Sequence, residues 1–210
     1  MIHFTWLLLT RSRRWLAPAL LVAFWVSIAM NPMGGGSSVQ RAAGMLPCYV
    51  IAGCWLSIII GSIDDDAHRE LVTAAVGSRT RLHVLRNFTA LAIMVVFATT
   101  MSLVGLVLFP RPSGAVERLA ATFGLAWSGV LLGIAFGAPL HRPVIRHGAT
   151  ALAVALALLL GFFLFPPMQS ILRGTDTNNT RGIPALFIIS ALLAASSIRL
   201  SAFAAERRRT

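Results

Sequence analysis

DDDAHRELVTAAVGSRTRLHVLRN, from Asp64 to Asn87, divides two long apolar runs. Eight of the chain's 25 charged residues stand in these 24 positions. Upstream, Ala42–Ile63 contains no charge, and downstream Phe88–Phe109 contains none either. A bilayer core takes about 20 apolar residues as a helix. The alternation of apolar, charged and apolar therefore predicts two membrane spans joined by an aqueous connection.

Working outward, four more stretches of this kind appear. The six predicted spans are approximately Trp15–Met33, Ala42–Ile63, Phe88–Phe109, Leu119–Leu140, Ala149–Phe165 and Ile183–Phe203. Arg199 is the one charged residue they contain, and near a span's end it can snorkel to the interface. The composition agrees: 57% of residues are hydrophobic and 12% charged, where soluble domains carry about 25% charge. The expectation is an all-α integral membrane protein whose residues 1–210 form one transmembrane domain with six transmembrane helices. The connections are made of turn formers. Asn31–Ser38 is rich in Gly, Pro and Ser, Phe109–Gly114 carries two prolines, and Pro166–Gly182 is the longest outer connection.

Orientation follows from arginine. The chain has 18 arginines and no lysine, and the net charge is +11. Nucleic acid is excluded as the partner because the arginines lie in small clusters between apolar runs, where a membrane protein keeps its positive charge. With both termini inside, 13 arginines fall on the cytoplasmic side and five on the outer side. The sequence therefore predicts cytoplasmic termini. The lack of lysine also excludes a P-loop, whose lysine reaches the nucleotide phosphates. Any ATP used by that route must be bound by another chain.

The first 30 residues, residues 1–14 included, are not expected to act as a signal peptide, because the apolar segment Ile2–Leu9 precedes the basic cluster Arg11–Arg14 and no small-residue cleavage site follows before Pro32. Ile2–Thr10 reads as an amphipathic helix lying in the membrane interface, anchored by Phe4 and Trp6. Cys48 and Cys54 share one span, about 9 Å apart along a helix axis, too far for a disulfide. They are expected to be free.

The charged segment itself, residues 64–87, has an internal order. Asp64, Asp65 and Asp66 are N-cap candidates, and Glu70 adds a further acid near a helix start. Leu71, Val72, Ala75 and Val76 form an apolar stripe over a helix at Asp66–Val76. Gly77 follows as the residue just past the helix end, and Ser78 as a new N-cap. A second helical stretch carrying Arg79, Arg81 and Arg86 then runs into the third span. A simple tether needs only about two to eight residues. This connection is longer, ordered and charged at both ends, as a docking element would be.

Glu70-Leu71, the short apolar helix, Gly77-Ser78-Arg79 and Arg86 ahead of a span resemble the segment after the second span of ABC-2 type transporter permeases. There an acidic helical stretch runs into a small-residue turn, usually Pro-Ser-Arg, and then a basic residue; here Gly77 takes the proline's place. The six-span topology, the interfacial N-terminal helix and the longer last outer connection are similar too. The resemblance implies the transmembrane subunit of an ABC exporter, a permease half that dimerises with a second copy or a paralogue in a bacterial plasma membrane. It implies a cytoplasmic coupling helix that meets a separate ATP-binding subunit through Asp66, Glu70, Leu71, Val72, Ala75, Val76, Gly77, Ser78 and Arg79. ATP and magnesium would then belong to that subunit. This chain is expected to supply no catalytic residue, cofactor or metal ligand.

Other patterns carry less. Asp64, Asp65, Asp66, His68 and Glu70 have metal-ligand chemistry, but a lipid-linked-substrate enzyme using aspartate clusters needs two such clusters or wider spacing. His141, Arg142 and Arg146 form a second basic cytoplasmic connection, suited to the partner or to anionic headgroups. Gly129, Gly133 and Gly137 repeat at the spacing that lets helices approach closely, within the chain or across a dimer. The alternatives left standing are a haem-export-type permease, a membrane enzyme acting on lipid-linked substrates and a non-catalytic membrane scaffold.

Overall fold

The computed structural model describes residues 16, 20, 23–24, 38–62, 66–108, 115–140, 148–164 and 182–207. Among these the chain is helical apart from short turns. The elements are α1 (Ser38–Ser62), α2 (Asp66–Val76), α3 (Arg79–Leu108), α4 (Ala115–Gly137), α5 (Gly148–Leu164) and α6 (Gly182–Arg207). Of the first expected span, Leu16, Leu20, Ala23 and Phe24 are described, and all four are helical. The interfacial helix, the outer connections, His141, Arg142 and Arg146 lie outside the described residues.

Four of these helices are long and apolar enough to cross a membrane: Ala43–Ser62, Arg79–Val104, Leu119–Gly137 and Gly182–Ala204. They make this a multi-pass membrane protein. The stretch expected as a fifth span is α5, whose 17 residues stand at the short end of what a bilayer core takes.

α1 and α4 form the centre. Their mutual contact is the most extensive in the molecule, and α6 and α3 pack against α4. Of the most apolar stretch of α1, 72% is buried, against 28% for α6. A helix apolar all round is buried all round when protein surrounds it. The core accordingly lies on both sides of α1. Tyr49, Leu56 and Ile60 face Met94 and Ala98 of α3 and Ile134 of α4. Leu46, Val50 and Cys54 face Leu125 and Leu132 of α4, Ala155 of α5 and Leu186 of α6. The outer faces of α3 and α6 instead present Phe88, Val96, Val107, Ile188, Leu192 and Leu200. Both cysteines are buried and free.

The α1–α4 approach depends on glycine. A Cβ at Gly133 would stand 2.5 Å from the Val50 carbonyl oxygen and 2.8 Å from the Cys54 nitrogen. At Gly137 it would meet the Cys54 carbonyl oxygen at 2.6 Å and Ser57 Cβ at 2.7 Å. Gly129 closes on Tyr49 and Leu46 in the same way, and Gly53 of α1 answers from the other side. The glycine repeat is thus committed to a contact within the chain. Lipid tails are as apolar as leucine, so close van der Waals packing replaces the hydrophobic effect as the force joining such helices.

The basic helical stretch expected after Ser78 and the third span expected from Phe88 are one element: α3 begins at Arg79 and continues unbroken for 30 residues. No proline or glycine interrupts the chain until Gly105, so the helix set going at Ser78 propagates through the basic stretch. At about 1.5 Å per residue it is roughly 45 Å long, against about 30 Å of hydrocarbon. Arg79, Arg81, His83 and Arg86 therefore form the foot of a long helix, as the helical reading of this stretch expects.

Candidate functional site

The segment between α1 and α3 is where the sequence places a contact for a partner. Its helix, α2, covers Asp66–Val76. Gly77 ends it with φ of 78°, a left-handed conformation that costs an L side chain about 1–2 kcal/mol. The Gly77 amide donates to the Thr73 carbonyl at 2.9 Å, the single bond of a left-handed helix cap. One residue on, the Leu82 amide donates to the Ser78 carbonyl at 3.1 Å, the first turn of α3. Two helices are thereby joined through two residues, with little freedom between them.

α2 rests chiefly on α3. Its faces differ by one position from the stripe that the sequence suggests. Thr73 is buried, while Val72 and Val76 are half-buried. Glu70, Leu71, Ala74 and Ala75 point outward, at i, i+1, i+4 and i+5. Leu71 is 71% exposed. The stripe Leu71, Val72, Ala75 and Val76 is therefore split, because the valines turn towards α3 while Leu71 and Ala75 face away. Ser78 and Arg79 are half-buried at the turn and Gly77 is exposed. The side chains of Asp64–Asp66, His68 and Arg69 lie outside the described residues, as do His141, Arg142 and Arg146.

Sequence reasoning missed a second constellation, at the foot of α3. Asn87 is buried between helices. Its amide oxygen accepts a hydrogen bond from the Ser57 hydroxyl of α1 at 3.0 Å. Its amide nitrogen donates to the His83 carbonyl at 3.0 Å and lies 3.2 Å from His83 Nε2. That same ring nitrogen is 2.6 Å from the hydroxyl oxygen of Ser201 on α6. Four buried polar side chains from three helices thus share one network, and the buried Arg86 stands beside it. His83 and Asn87, spaced i and i+4, were a visible signal of one helical face. Reading them as part of a cytoplasmic connection hid it.

A further tie runs from the Ser197 hydroxyl of α6 to the Ala135 carbonyl of α4 at 2.6 Å. The Trp127 indole of α4 donates to Thr99 Oγ1 of α3 at 3.1 Å. No protein family, curated protein or solved structure matches the chain.

Proposed function

We propose that the chain is the transmembrane permease subunit of an ATP-driven exporter of the ABC-2 type. In this reading six spans with both termini in the cytoplasm of a bacterial cell form half of a translocation path. A second copy or a paralogue completes it. A separate subunit binds ATP and magnesium, and α2 receives its motion.

The observation that carries the reading is the outward face of α2. A helix of 11 residues is too short to cross a bilayer. It is joined to a span by a tight two-residue turn, yet it presents Glu70, Leu71 and Ala75 away from the body of the protein. A leucine so exposed, beside an acid and outside the apolar spans, is the kind of residue a groove on a partner buries. The lack of lysine supports an ATPase supplied by another chain.

The test is capture of the full-length chain from its native membrane. A P-loop ATPase should co-purify with it, while the chain alone hydrolyses no ATP. Replacing Leu71 with Asp should abolish that association, and replacing Glu70 and Arg79 should weaken it, each with the spans still folded. Full association and transport in all these variants would refute the coupling role of α2. Metal-dependent turnover by the isolated chain would favour the membrane enzyme instead.

A further inference from the structure

The network around Asn87 is more specific than a buried polar group needs. Asn87 uses both its amide nitrogen and its oxygen, and its orientation is fixed by chemistry. Rotating the amide by 180° would set its oxygen against the His83 carbonyl, acceptor against acceptor. With the nitrogen where it is, it also lies 3.2 Å from His83 Nε2, whose role follows the tautomer. Ser201 Oγ lies 2.6 Å from Nε2 and 3.0 Å from the Ile198 carbonyl. Nε2 offers one lone pair or one hydrogen, so the shorter contact, to Ser201, is its principal bond: the hydroxyl donates to a bare Nε2, or accepts from a protonated one while donating to Ile198.

The location matters as much as the bonding. Ser57 and Asn87 are 30 residues apart, and His83 and Ser201 are 118 apart. The bonds therefore join three separate helices at one level. That level is the foot of α3, two turns past the stiff Gly77-Ser78 joint that carries α2. Ser57 is held in place from behind, since its Cβ packs over Gly137 of α4.

We propose that Asn87 is a positioning residue that, through Ser57, His83 and Ser201, ties the foot of α3 to α1 and α6 so that α2 moves with the central helices. Displacing α2 then displaces α1 and α6 rather than bending α3 where it leaves the apolar layer. The mechanical tie stands by itself; its use in transport rests on the permease reading above.

The experiment needs no ATPase. Spin labels are placed at Ala74 of α2 and Ala204 of α6, both exposed, in the full chain with Cys48 and Cys54 replaced by alanine. The distance distribution is measured in lipid nanodiscs. The parent gives one narrow peak. N87L and H83L lose that peak and give a broad distribution, and S57A falls between. H83Q keeps the narrow peak, because a glutamine amide can bond Ser201 either as donor or as acceptor. A narrow peak in N87L overturns the proposal. If N87L fails to fold, narrow peaks in both H83L and S57A overturn it equally. Broadening in H83Q to the extent seen in H83L overturns the hydrogen-bonding role of His83, and with it the network as drawn. These results do not depend on whether a P-loop ATPase is ever captured, so the tie and the permease reading fail separately. In an assembled complex, N87L should retain the ATPase subunit but lose transport; loss of the subunit itself would count against a positioning role.

Discussion

The α1–α4 crossing and the joint of α1 with α3 and α6 lie one helical turn apart along α1, at Gly53 and Ser57, and hold by different physics. At the crossing, backbone meets backbone across Gly53, Gly129, Gly133 and Gly137, and contact distance is everything. At the joint, side chains reach across wider gaps, and the pairing of donors with acceptors decides. The first arrangement tolerates no added atom, while the second tolerates changes of shape but not of hydrogen-bonding sense. A bundle with both can be rigid at its centre and exacting at its foot.

The largest effect should come from the crossing. Gly133→Ala places a methyl group against the Val50 carbonyl and the Cys54 amide, which are backbone and cannot turn aside. Overpacking of this kind costs about 1–3 kcal/mol, and the upper end is expected here because two helices must separate. Reversible unfolding in mixed micelles or bicelles measures it. An unchanged midpoint would mean that the crossing is looser than the glycines require. A smaller effect belongs to the joint. A double-mutant cycle between Ser57→Ala and Asn87→Ala should give a coupling of about 0.6 kcal/mol, and below about 1.7, the range found for hydrogen bonds between helices in membranes. A coupling near zero would remove the distinction between the two regions. The smallest effect is the control: Gly161→Ala on α5 meets nothing within 4 Å and lies in a helix. It should be neutral or stabilise by less than about 1 kcal/mol, the gain in helix propensity.

These contrasts also mark what the sequence could and could not disclose. Four of the expected spans were legible because each is a long run of apolar side chains, and helix length in a bilayer is fixed by thickness. The helix–glycine–serine–helix order of the charged segment was legible because caps act within four residues. The glycine repeat announced a close approach, and only the three-dimensional packing identified α1 as the neighbour. The phase of α2 differs by one position from the apolar stripe: Thr73, a small polar residue, is buried while Leu71 is exposed, so hydropathy alone favoured the wrong face. The base of α3 was legible as a helix but not as a buried one, because hydropathy counts His83, Arg86 and Asn87 as aqueous. It does not register that Ser57 and Ser201, distant in the chain, satisfy two of them. Nothing in a single sequence links residue 57 to 87 or 83 to 201.

The central position of α1 also constrains how the protein is made. α1 emerges before α2 and α3, whereas the glycine face that covers it, on α4, is synthesised only after both. During that interval Ser57 and the surface around Gly53 face lipid or a chaperone. α4 in its turn enters the membrane carrying four glycines, Gly124, Gly129, Gly133 and Gly137, a weak helix until it meets its groove. Completion of the centre is therefore a late event in biogenesis, and a chain halted before α4 would carry an open seam that membrane quality control can recognise.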